Sequence, residues 1–195
     1  MARSQAQLSE DGETKWARAS TFSNVTFRGV SRSSRLTENG GTMDKQQLVR
    51  RLDAVWTDFL SSYAGLRDAQ MLEPGVSGTW SVRDIIAHVT TWEEEALAQL
   101  PVILAGRRPP RYSVTYGGIN AFNALMTERK RGYSPAEILR QRDEVHGRLV
   151  RYVLSVRDEE FTRETRFRRR LRLDTYNHYP KHARAIRSWR ARPAR

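Results

Sequence analysis

Apolar residues begin to recur at three- and four-residue steps just after Met43. Leu48, Leu52, Val55, Phe59, Tyr63 and Leu66 form one stripe and predict a first helix over about 44–66, with Asp44 as N-cap. Turn formers between Leu72 and Trp80 predict a loop. Ser81-Val82-Arg83-Asp84 then has the layout of a capping box. The stripe that follows, Val82, Ile85, Ile86, Val89, Trp92, Ala96, Leu97 and Leu100, predicts a second helix whose end is made ragged by Pro101 and Gly106. A short helix is expected over 119–131, around Phe122, Leu125 and Met126. Ser134-Pro135-Ala136-Glu137 starts another, running to about Ser155 through Ile138, Val145, Leu149, Tyr152 and Val153. Residues 157–173 read as a strongly charged connection, and a last helix is expected over about 175–189.

Helices joined by loops, with little strand signal and no internal repeat, predict an all-α antiparallel bundle over residues 43–190, with a frayed tail at 191–195. Residues 1–42 are rich in Ser, Arg, Thr and Gly and hold no sustained apolar period, so a disordered extension is expected there. Met43 is then a plausible native start.

Composition narrows the chemistry. Hydrophobic residues make up 38 % of the 195, low for a chain packed throughout. No apolar run approaches the roughly 18–20 residues of a membrane span, and no signal core follows the N-terminus, so a cytoplasmic protein is expected. Cysteine is absent, which excludes disulfides, thiolate ligands and a protein-borne thiol nucleophile; a soft-metal site would have to use histidine. The net charge of +12 favours anionic partners without choosing among them.

The chain has four histidines. His88 falls on or beside the buried stripe of the second helix, and His178 and His182 stand at the i,i+4 spacing that shares a helical face. Three imidazoles with open positions make a catalytic metal site. Spacing alone also fits a satisfied core histidine at 88 and a chance pair at 178 and 182. Pro180 lies between the pair. It is harmless if the helix starts late, with Asn177 as N-cap, and kinks the helix if the start is at Asp174.

The segment from Gly78 to Glu93 contains W-S-x-x-D-x-x-x-H-x-x-x-W-E, and the segment from Thr175 to Trp189 contains H-Y-x-x-H-x-x-x-I-x-x-W. In this order they resemble the DinB-like superfamily, within it the ClbS/DfsB group and the N-terminal domain of mycothiol-dependent maleylpyruvate isomerases, over about 43–190. The resemblance implies a four-helix bundle and a divalent ion, Zn, Ni or Fe, held at positions matching His88, His178 and His182. It also implies a metal-dependent enzyme acting on a small electrophilic substrate, a transferase or isomerase using a low-molecular-weight thiol, or a hydrolase. Bundles of this sort commonly form homodimers.

Around that site, Glu93 is a candidate general base at the mouth and Tyr179 a candidate hydrogen-bond donor to substrate. A solvated helix carboxylate and a packing tyrosine are the plainer readings. Asp84 either orients His88 or serves the helix start. His146 reads as a surface residue, Trp80 and Trp92 as core. The run Arg166-Phe167-Arg168-Arg169-Arg170-Leu171-Arg172 suits phosphate or an acidic substrate; a solvated loop, or an edge that packs Phe167 and Leu171, is the preferred reading, and no nucleic-acid partner is expected. The competing functions are metal-free resistance to a reactive small molecule, by binding or hydrolysis, and a basic nucleic-acid-binding module.

Overall fold

The computed structural model describes residues 44–192; the expectations for 1–42, for the start at Met43 and for the last three residues lie outside them. Helix α1 (Lys45–Tyr63) begins at a reciprocal cap, Asp44 accepting from the Gln47 backbone while the Gln47 side chain accepts from the Asp44 backbone. A short helix that the apolar pattern did not show, α2 (Asp68–Leu72), precedes the loop to α3 (Val82–Leu104). Ser81 and Asp84 form the expected capping box at the start of α3. Asp84 also pairs with Arg83 at 2.9 Å, so it belongs to the helix start and not to His88. Pro101 does not end α3, because it sits exposed in the last turn. The helix closes at Gly106, whose φ of +74° lets its own N–H reach Ile103 and the Arg107 N–H reach Val102.

The second unexpected short helix is α4 (Tyr112–Thr115), followed by α5 (Ile119–Arg129) and α6 (Pro135–Ser155), which starts on the Ser134/Glu137 box. A 3₁₀ turn at Asp158–Glu160 leads to α7 (Arg166–Asp174), where the sequence pattern had suggested a connection. α7 buries Phe167, Leu171 and Asp174, at i, i+4 and i+7, while its arginines lie on the remaining surface; this is the packed edge set against the solvated loop in the sequence reading. α8 (Tyr179–Arg190) is the last element.

The four long helices α1, α3, α6 and α8 form the bundle. α3 is central: it packs along α6 and α7 and touches α2, α5 and α8, while α1 lies along α8. Leu48, Leu52 and Phe59 of α1, Ile85, Ile86 and Val89 of α3, Ile138 and Leu149 of α6, and Ile186 of α8 meet in one core. Among the described residues no helix is long and apolar enough to cross a membrane.

Candidate metal centre

Two elements bring the histidines together. His88 is in the second turn of α3 and is 8 % exposed. His178 is the N-cap of α8, and His182 lies one turn further on. The helix therefore starts late, at Tyr179 and not at about 175, with its cap one residue beyond Asn177, the cap of the late-start alternative. Pro180 falls in the first turn, where its missing N–H has no helical partner to lose. A four-residue turn joins α7 to α8, with the His178 and Tyr179 N–H groups both donating to the Thr175 carbonyl.

The three rings converge on their Nε2 atoms. His178 Nε2 stands 3.2 Å from His88 Nε2 and 2.9 Å from His182 Nε2, and one ligand atom from each ring lies within 4.8 Å of the others. A tetrahedral ion with Zn–N bonds of about 2.0–2.1 Å spaces its donors about 3.3 Å apart, so the observed separations are of the right size. Protons alone account poorly for such a cluster. One N–H on His178 can be donated to only one of its two neighbours, which leaves lone pairs facing each other in a buried place. Burial holds the cluster uncharged: His88 is pushed down to about 3 and His182 to about 4, desolvation being the main cause in both, and His178 is held well below the ordinary histidine value by desolvation and its two histidine neighbours. Neutral imidazoles with converging lone pairs are the donor set a divalent ion requires. Trp80 stands 4.9 Å from the His88 ring, and Trp92 6.2 Å from His88 and 6.1 Å from His178. The two tryptophans are thus walls of the cluster, and Trp92 is anchored by its Nε1–H on Asn123 at 3.2 Å.

Glu93 does not lie at the mouth. It is 0 % exposed, and its Oε1 accepts from the Tyr179 hydroxyl and faces His146 Nδ1 at 2.8 Å. Tyr179 is fully buried, its pKa held well above the ordinary phenol value by burial and by Glu93, so it stays a proton donor. His146 corrects the surface expectation. Its ring stacks on Trp56 at 3.7 Å with the planes 4° apart, and it is largely enclosed. No short-range signal marks this cluster: Trp56, Glu93, His146 and Tyr179 come from four helices and meet only in three dimensions.

A second polar group lies beside Trp92. Arg170 of α7 pairs with Asp174, donates to the Tyr112 hydroxyl at 2.8 Å and lies over the Trp92 and Tyr112 rings. Tyr112 in turn donates to Glu95 at 2.7 Å. Burial pushes the Asp174 carboxyl up to about 7 against the opposing pull of Arg170.

A helical bundle with three inward-turned histidines, one on the central helix and two at the start of the last, defines the class of protein. The DinB superfamily model matches residues 39–184, and the chain belongs to that superfamily. Solved structures share the fold at low identity. The colibactin self-resistance protein ClbS, seen in complex with a dsDNA, aligns at 14 % identity and a TM-score of 0.66, over 77 % of this chain and 98 % of that one. The sibling lethal factor precursor DfsB aligns at 14 % identity and 0.64, over 75 % and 95 %. A protein from Clostridium difficile 630 aligns at 12 % and 0.65, over 82 % and 100 %. No functionally curated protein matches the sequence.

Proposed function

We propose that His88, His178 and His182 hold one divalent cation, Zn, Ni or Fe, and that the chain is a metal-dependent cytoplasmic enzyme acting on a small electrophilic substrate. The observation that carries this reading is the convergence of three uncharged imidazole nitrogens, His178 Nε2 lying within hydrogen-bond distance of both others, with no arrangement of protons that satisfies them all. Such an ion supplies Lewis acidity, which polarises a substrate oxygen or acidifies a water or a low-molecular-weight thiol.

The protein's own groups do the positioning. Trp80 and Trp92 flank the cluster and narrow the approach to it. Glu93 and Tyr179, buried away from the cluster's mouth, act not as base and donor to substrate but in holding the ligands in place: the bond between them ties the first residue of α8 to the helix that carries His88. A metal site depends on such supporting bonds nearly as much as on its ligands.

The direct test is metal analysis of protein purified without a histidine tag. About one equivalent per chain is expected, with turnover of an electrophile by added thiol or by water lost on chelation and restored by metal. Protein that neither carries nor takes up metal would overturn the reading. Unchanged protection against a reactive compound by His182→Ala would favour metal-free resistance instead. The likeness to ClbS, at 14 % identity, speaks to fold; a nucleic-acid partner for this chain has to rest on its own surface.

A further inference from the structure

The arginine run that the sequence reading set aside is neither a loop nor evenly solvated. α7 turns Phe167 and Leu171 onto the core and carries Arg166, Arg169 and Arg170, at i, i+3 and i+4, on another face. Two of these arginines, one turn apart, grip the two ends of the basic segment 107–112. Arg166 Nη2 donates to the Arg107 carbonyl at 2.8 Å, and Arg170 Nη2 donates to the Tyr112 hydroxyl at 2.8 Å. Pro109 and Pro110 stiffen the stretch between. The backbone that carries Arg107, Arg108 and Arg111 is thereby held against α7 at both ends, and these three, with Arg166 and Arg169, are all exposed.

These five guanidinium groups differ from their neighbours in one respect. Arg168 and Arg172 pair with Glu164, and Arg170 pairs with Asp174. Arg107, Arg108, Arg111, Arg166 and Arg169 have no carboxylate within 4.0 Å among the described residues. Like charges are gathered on a rigid helix and a pinned loop with nothing local to neutralise them. The core does not need them, and they are not part of the histidine cluster.

We propose that this surface docks the phosphodiester backbone of a nucleic acid, without reading its sequence. Guanidinium groups match phosphate in paired hydrogen bonds, and the set here is entirely arginine. A lipid surface fits less well, since membrane-lying helices insert an apolar face. α7 has spent its apolar face on α3, and Leu173, 57 % exposed, is the exposed large apolar side chain left on it. The net charge of +12 adds long-range attraction for a polyanion.

The test uses the full chain and fluorescence anisotropy with a labelled duplex DNA of arbitrary sequence, about 20 bp, over a range of salt. A single-stranded RNA of equal charge and phosphatidylserine vesicles serve as parallel probes. Five phosphate contacts predict a log–log salt slope of about −4.5 on the duplex. Two double variants are compared, Arg166→Glu with Arg169→Glu on the helix, and Arg107→Glu with Arg108→Glu on the loop. The control, Arg50→Glu with Arg148→Glu, makes the same change of charge at exposed positions of α1 and α6. Both test pairs are expected to lose at least tenfold in affinity and to flatten the slope by about 2, while the control stays within twofold and every variant keeps the metal content of the parent. Equal losses in the control would reduce the effect to bulk charge and overturn the proposal. So would absence of nucleic-acid binding at low salt, or binding to vesicles alone. Unaltered metal content keeps this outcome separate from the fate of the metal reading.

Discussion

At the scale of single residues, one carboxylate oxygen carries much of the cohesion around the histidines. Glu93 Oε1 meets both Tyr179 and His146, while Oε2 is buried with no hydrogen-bond partner. Tyr179→Phe removes one donor and leaves the carboxylate to His146; a loss of about 1–3 kcal/mol is expected in chemical denaturation. Glu93→Leu strands two buried polar groups at once and should cost about 3–5 kcal/mol, with Glu93→Gln recovering part of it. A Glu93→Leu variant as stable as the parent would mean that this cluster does not hold the fold. His182→Ala is expected to weaken metal binding by roughly two orders of magnitude or more, measured by chelator competition, since even supporting residues cost about 10–100-fold. The i,i+4 pair and the place of His88 on an apolar stripe were legible as local properties, but that the three belong together was implied only by the resemblance of the two motifs to the DinB-like pattern. The burial of Glu93 was not legible. It sits in a Glu93-Glu94-Glu95 run that looks solvated, and the groups that make its burial tolerable lie 53 and 86 residues away.

At the scale of elements, caps were the most readable signal. Asp44, Ser81 and Ser134 each start a helix where the pattern placed it, because a cap is a contact over three residues. α7 was missed for the converse reason: five arginines in its first seven residues hide a buried face with two apolar side chains, Phe167 and Leu171, and packing on α3 makes the segment a helix. That face can be tested. Leu171, fully buried, should cost about 2–5 kcal/mol on replacement by Ala, whereas the outward Arg169→Ala should change stability by less than about 0.5 kcal/mol; equal effects would return the segment to a connection. α2 and α4, of five and four residues, are too short to show a period. The place of Pro180 in the first turn of α8 makes a further claim. Pro180→Ala should leave metal affinity within a fewfold of the parent and shift stability by no more than about 1 kcal/mol.

At the scale of the whole molecule, the histidines couple folding to acidity. Each has a folded pKa below the value of about 6.5 expected in the unfolded chain. Unfolding at acid pH therefore takes up protons that the folded cluster refuses. The stability this neutrality contributes is present above pH 6.5 and is lost as the pH falls from there towards 4. Denaturant midpoints of metal-free protein should decline over that interval, more steeply than in a variant lacking His88 and His182. Ligand binding to the folded form alone adds about 2.7 kcal/mol at a hundredfold excess over Kd, so zinc or nickel should raise the melting temperature of the parent and leave that of His88→Ala nearly unchanged.

The division of the three ligands, one on α3 and two at the head of α8, also bears on synthesis. A nascent polypeptide that has cleared the ribosome only as far as α7 offers one imidazole of the three. On the proposed metal reading, loading awaits α8, so a product stopped before it, however well its earlier segments collapse, would emerge without an ion and without the reinforcement that capture of one brings.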